Sequence, residues 1–158
     1  MDLESNYGIS RKKAKEYIDQ YLEKYSGIKK FMETIVEEAK EKGYVETLYH
    51  RRRYVPELKS NNYMVRQFGS RVAMNTPIQG TAADIMKIAM INVYKKLKEN
   101  NLKSKILVQV HDELLIETKI EEKEQVERIL KEEMETVIKL KVPLVAELSS
   151  GSNWYEAK

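Results

Sequence analysis

Residues 105–117 read KILVQVHDELLIE. Two short runs of aliphatic and β-branched residues, 106–110 and 114–116, flank the polar centre His111, Asp112 and Glu113, a pattern that predicts an antiparallel hairpin. Two-residue hairpin loops demand positive φ and favour Asn-Gly or Asp-Gly. His111-Asp112 is weak turn chemistry, tolerated because both residue types enter the left-handed region more readily than most. A weak turn sequence held at a hairpin tip points toward function. Asp112 and Glu113 are adjacent carboxylates beside a histidine, a donor set suited to Mg²⁺, which takes one or two protein carboxylates and fills its shell with water and phosphate oxygens. The competing reading is an acidic tip that is simply solvated. Neighbouring strand residues also face opposite ways, so a working metal site requires a further carboxylate from elsewhere.

The 158 residues are enough for one core or two small lobes, and the absence of cysteine excludes both a disulfide framework and a thiolate metal site. No apolar leader and no apolar run of spanning length is visible, so the expectation is a soluble, intracellular protein with no membrane partner. Net charge is only +3 although 34% of residues are charged. A nucleic-acid surface must therefore come from local segregation of charge.

Upstream of the hairpin, Ser10 is a candidate N-cap for apolar positions Ala14, Tyr17, Ile18, Tyr21, Leu22, Tyr25, Ile28, Phe31, Met32, Ile35, Val36 and Ala39, spaced at helical intervals and ending at Gly43. This predicts one amphipathic helix, or two joined at Ser26-Gly27, with the tyrosines facing a core rather than stacking on bases. Residues 44–56 predict a hairpin whose basic tip carries Arg51, Arg52 and Arg53 beside tyrosines, suited to a phosphate backbone or to plain solvation. A long helix is expected over 64–99, with Arg66 in its first turn. Thr76-Pro77 within it is either an N-cap with Pro at the first helical position or a proline inside a continuous helix. Ile78, Ala82, Ile85, Met86, Ala89, Val93 and Leu97 form its expected buried stripe. Arg71, Asn75 and Gln79, four apart, form a polar ridge that tracks a groove: the amides offer donors and acceptors to minor-groove base edges and the guanidinium suits phosphate. An ordinary solvated face is the alternative. After the hairpin, Thr118 and Glu121 resemble a capping box opening a helix over 121–139, residues 142–148 read as a Pro-containing edge strand, and Trp154 is expected to anchor the tail.

Taken together, VQVHDELLIE, RRRYVPEL and RVAMNTPIQGTAADIMKIAMI resemble the C-terminal part of family A DNA polymerases of bacteria, from about Ser10 to the end of the chain. The resemblance implies a partial polymerase palm over 44–158, preceded by a fingers-derived helical segment over 1–43. The fold class is α+β: long amphipathic helices packed on a small antiparallel sheet that carries the HDE hairpin. It implies that Asp112 binds catalytic Mg²⁺ with an aspartate from an earlier palm motif, that Glu113 is a supporting carboxylate and that His111 lies against the primer terminus. Arg71, Asn75 and Gln79 match the helix that meets template and primer. The partners would be primer-template DNA and, in the intact enzyme, dNTPs.

Two family motifs have no counterpart in the chain: the palm stretch of the form D-Y-S-Q-I-E-L-R and the fingers helix with the pattern R-x₃-K-x₆-F-x₃-Y-G. Tyr7-Gly8 is no substitute, because the segment I-S-R-K follows it at once. The expectation is the final quarter or less of a polymerase, catalytically silent alone, with Mg²⁺ held weakly or not at all. The missing palm strand would leave a sheet edge open to self-association. The alternatives are a non-catalytic duplex-DNA-binding module or a small Mg²⁺-dependent phosphohydrolase using Asp112 and Glu113.

Overall fold

A computed structural model describes residues 9–157, so Tyr7-Gly8 lies outside the described residues. The chain forms two compact units that divide at Pro77.

In the first unit, helix α1 spans Arg11–Lys24 and helix α2 spans Ser26–Lys42. The Ser10 hydroxyl accepts from the Lys13 amide at 3.4 Å, satisfying one of the unpaired donors of the first turn. The helical rhythm breaks at Tyr25 (φ −105°, ψ 59°), the second of the two sequence readings. Gly43 closes α2 at φ 83°, its amide donating to the Ala39 carbonyl at 2.9 Å, a left-handed terminus for which glycine carries no Cβ penalty.

Strands β1 (Tyr44–Glu46) and β2 (Arg52–Tyr54) pair antiparallel, Tyr44 opposite Tyr54 and Glu46 opposite Arg52. A 3₁₀ turn over Pro56–Lys59 leads to helix α3, Tyr63–Glu99. The Asn62 side-chain oxygen accepts from the Met64 amide at 2.9 Å as α3 starts. Ala39, Val45, Val55, Leu58 and Ala73 make the core, with Ile35, Val36 and Val72 packed on it.

The expected burial of the α1 tyrosines is corrected. Tyr17, Tyr21 and Tyr25 are about half exposed, because helical periodicity decides which face is apolar and not whether another element covers it.

Gly69 of α3 lies against the 3₁₀ turn. A Cβ there would sit 3.0 Å from both Glu57 Cβ and the Leu58 backbone nitrogen. Alanine gains roughly 1 kcal/mol of helix propensity over glycine, but overpacking against backbone costs about 1–3 kcal/mol. Gly69→Ala is therefore expected to lose about 1 kcal/mol net in urea unfolding; a stabilised variant would show that the 3₁₀ turn yields.

In the second unit the remainder of α3 leads through Asn101, at φ 55°, to strands β3 (Lys105–Val110) and β4 (Glu113–Glu117). A 3₁₀ turn, Ile120–Glu122, precedes helix α4, Lys123–Glu135. The core joins Val93, Leu97, Val126 and Ile129, with Leu102, Ile106, Leu114, Ile116 and Leu130 against it. The α3 stripe holds from Met86 onward, whereas Ile78 is 64% exposed and Ala82 is exposed. The fold is mixed helix and antiparallel strand, with two separate two-stranded sheets rather than one.

Four expectations are corrected here. The helix expected over 121–139 is α4, four residues shorter at its C-terminal end, with Thr136 hydrogen-bonding back to the Glu132 carbonyl. Residues 142–148 form no strand; the Ala146 amide instead donates to Glu135 Oε1 at 3.0 Å, and Pro143 has no amide to offer a ladder. Trp154 is 43% exposed and Tyr155 91%, so the tail is not anchored through them. No capping box forms. Its place is taken by Glu122, whose carboxylate accepts from the amides of Lys103 and Ser104 and from the Ser104 hydroxyl. These donors, the Lys103 amide first and then the Ser104 hydroxyl, hold Glu122 below the usual carboxylate range, helped by the charge of Lys119. The contribution of this contact is thus present above that range and is lost as pH falls through the lowered value.

Candidate nucleic-acid interface and metal ledge

At the tip of the β3–β4 hairpin, Val110 pairs with Glu113, leaving His111-Asp112 as a two-residue turn. His111 sits at φ 51°, in the left-handed region that this turn demands and that histidine tolerates. Gln109 Nε2 donates to the His111 carbonyl at 2.7 Å, tying the strand to its own turn. Sequence reasoning missed Gln109. His111, Asp112 and Glu113 are all exposed, and among the described residues their side chains make no hydrogen bond or ion pair. Asp112 and Glu113 thus present hard oxygen donors of the type Mg²⁺ takes, without the further carboxylate that a complete protein site needs. Among the described residues no group of three or more His, Asp or Glu gathers as a metal cage.

The basic hairpin divides its arginines. Arg52 Nε donates to Glu46 Oε1 at 2.7 Å, and its guanidinium lies 4.5 Å from the centre of the Tyr44 ring. The Arg52 hydrogen bond is the main cause that holds Glu46 below the usual carboxylate range. Arg52 is thereby committed to its own sheet, while Arg53 is exposed on it; Arg51 is exposed in the loop just before β2. The loop between the strands is built on Thr47, 4% exposed, whose hydroxyl accepts from the amides of Tyr49 and Arg51 at 3.2 and 3.3 Å. The readiness of threonine to close such turns was the available sequence signal. Arg66 is also committed, its guanidinium donating to the carbonyls of Ser60 and Asn61 at 2.8 and 2.9 Å.

Arg71, Asn75 and Gln79 contrast with these. All three are exposed on α3, and among the described residues none of their side chains is engaged in a hydrogen bond or ion pair. Ala73 and Thr76, between them in sequence, are buried at 0% and 8% exposure, so the ridge is the polar side of a helix whose other side is packed. Within the first unit, Arg71 and Asn75 are about 6 Å apart along the axis, and Gln79 belongs to the second unit. A donor–acceptor row of this kind suits a polynucleotide groove.

The profile of DNA polymerase family A matches residues 1–156. The chain belongs to that family. It is 55% identical over 160 residues to DNA polymerase I of Caldicellulosiruptor bescii, covering 98% of this chain and 19% of that protein. It is likewise 55% identical over 156 residues to DNA polymerase I of Bacillus subtilis, covering 99% of this chain and 18% of the relative. Among solved structures, the POL domain of Pol1 from M. smegmatis, in complex with DNA primer-template and dNTP, superposes with a TM-score of 0.93 at 42% identity, over 98% of this chain and 27% of that one. The chain thus spans about a fifth of the length of its curated family A relatives. Among the described residues no helix is long and apolar enough to cross a membrane.

Proposed function

We propose that this chain is the primer-template-binding, C-terminal part of a bacterial, cytoplasmic DNA-directed DNA polymerase of replication or repair. The whole enzyme would carry out template-directed nucleotidyl transfer to a primer 3′-hydroxyl. The observation that carries this reading is the ridge of Arg71, Asn75 and Gln79: it stands exposed and uncommitted in a chain that superposes on a polymerase domain described with primer-template and dNTP. Arg71 would meet a phosphate, and Asn75 and Gln79 the minor-groove acceptors that all base pairs share. Arg53 would add a backbone contact; Arg52 and Arg66, held within the chain, would shape the surface rather than touch DNA.

At the hairpin, Asp112 would hold metal together with an aspartate that this chain does not contain, Glu113 would support it, and His111 would lie against the primer terminus. When bound there, Mg²⁺ supplies charge neutralisation for the triphosphate and pyrophosphate and acidifies the primer hydroxyl. The exposed tip suits this role because two carboxylates already free of internal partners need break no contact to bind. Binding of dNTPs and extension of a primer would be activities of the whole enzyme. Outside that enzyme, the open edges of the β3–β4 ribbon are the surface through which two copies would pair. A duplex-DNA-binding module without catalysis rests on the same ridge and differs only in the chemistry at Asp112.

The test is fluorescence anisotropy on a labelled primer-template duplex at two salt concentrations. The wild-type chain is expected to bind in a salt-sensitive manner, and Arg71→Ala with Gln79→Ala to weaken binding about tenfold, roughly 1.4 kcal/mol. Absence of binding at low salt, or equal binding by the double variant, would refute the interface.

A further inference from the structure

The two ends of the β3–β4 hairpin are in different registers. At its root Lys105 pairs with Glu117 and Ile106 with Ile116; toward the tip Val108 pairs with Leu115, Gln109 with Leu114 and Val110 with Glu113. Leu107 is the extra residue, a bulge, and is 57% exposed while Ile106 packs in the core. Carrying the tip register back to the root would remove the bulge and place Leu107 opposite Ile116, on the core side, with Ile106 turned out. Both residues are large and aliphatic, so the hydrophobic pattern does not choose between the registers. Something outside the hairpin must.

The Glu122 carboxylate is placed to choose. Its Oε2 accepts from the Ser104 hydroxyl at 2.6 Å, from the Ser104 amide at 2.9 Å and from the Lys103 amide at 3.0 Å; its Oε1 accepts from the Lys103 amide at 2.9 Å. Ser104, 7% exposed, immediately precedes β3. A second tie runs in parallel, from Gln125 Nε2 to Asn100 Oδ1 at 3.0 Å. The start of α4 thereby fixes where β3 begins, eighteen and nineteen residues back in sequence.

We propose that Glu122 is a positioning residue that selects the bulged register of this hairpin and so sets the aim of Asp112 and Glu113. A bulge bends its strand and adds twist, so the direction of the tip relative to the core of its own unit depends on whether Leu107 is looped out. The significance for metal binding rests on the polymerase reading above; the selection of register does not.

The experiment is NMR on the full 158-residue chain, reading cross-strand contacts and amide exchange. In the wild type, Ile106–Ile116 and Val108–Leu115 contacts are expected. In Glu122→Ala a Leu107–Ile116 contact replaces Ile106–Ile116 in at least half of the molecules, and the Ser104 amide exchanges at least tenfold faster. Adding Leu107→Lys to Glu122→Ala restores the bulge, since a lysine cannot take the core position; a merely destabilised hairpin would not be rescued this way. Ser104→Ala, which removes one hydrogen bond, shows a smaller population of the same shifted register and covers the case in which Glu122→Ala does not fold. Unchanged Ile106–Ile116 contacts in either folded variant, or no rescue by Leu107→Lys, would overturn the assignment. Primer-template anisotropy on the wild-type chain reads the other premise separately: if the chain does not bind DNA at low salt, the polymerase reading falls and the register result stands.

Discussion

Leu97→Ala is expected to destabilise the second unit by roughly 3 kcal/mol, within the range seen for truncating a buried leucine. Leu97 is 3% exposed and belongs to a core of four buried side chains, Val93, Leu97, Val126 and Ile129. Ile106, Leu114 and Ile116 of the hairpin rest on that core, and few other apolar groups are available to collapse into the space left. A unit of this size holds on the order of 4–10 kcal/mol in total, so the loss is a large fraction of what supports the HDE tip. In urea the midpoint should fall by roughly 2 M at an ordinary slope for a small unit, with amide protection in β3 lost alongside. Leu97→Met, which conserves volume, should cost less than about 1.5 kcal/mol. A midpoint moved by less than about 0.5 M in Leu97→Ala would mean that the hairpin is held by its loop contacts and not by this core.

The HDE hairpin was legible because two local signals agree: aliphatic runs at both sides and a polar pair that can reach the left-handed region. Its bounds in the structure are those read from the sequence, and His111 takes the positive φ that the turn requires. The bulge at Leu107 was not legible, since Ile106 and Leu107 are interchangeable to any hydrophobicity pattern and the contact that separates them comes from Glu122, far along the chain. The same non-local element explains the lost capping box: Thr118 and Glu121 have the right spacing, but the neighbouring carboxylate had better donors in the amides of Lys103 and Ser104. Residues 142–148 alternate as a strand does, yet a strand exists only where an edge accepts it, and here Glu135 takes the Ala146 amide first.

For the candidate interface, what the sequence could not supply is which polar side chains are already bonded within the chain. Composition locates cations; it does not show which are already tethered. Arg52 and Arg66 read as free charges in the sequence and prove to be held by Glu46 and by two carbonyls, whereas Arg71, Asn75 and Gln79 keep the uncommitted character that their spacing suggested. The tyrosines of and just after α1 show the converse limit: the spacing marks an apolar face, and among the described residues they stay about half exposed on it.

Pro77→Ala is expected to stabilise the chain by about 2 kcal/mol and, on the polymerase reading proposed above, to weaken binding of primer-template DNA several-fold. Pro77 lies inside α3, a helix of 37 residues, and cannot donate the amide bond that would close on the Ala73 carbonyl. Proline in a helix interior is roughly 3 kcal/mol worse than alanine, of which about 1 kcal/mol is returned because proline stiffens the unfolded chain. The local cost is compounded by Thr76, whose buried hydroxyl oxygen has no hydrogen-bond partner among the described residues. Proteins break such local rules where function requires it, and here the break falls between Asn75 and Gln79, two members of the ridge. Alanine would supply the missing backbone hydrogen bond and alter the local path of the helix beside Asn75. The thermal midpoint should rise by roughly 4–8 °C for a chain of this length, with weaker anisotropy binding at the same salt. A midpoint that does not rise would show that the backbone around Pro77 has already relieved the penalty; a rise with undiminished binding would separate the proline from the ridge and leave its place in the helix to packing alone.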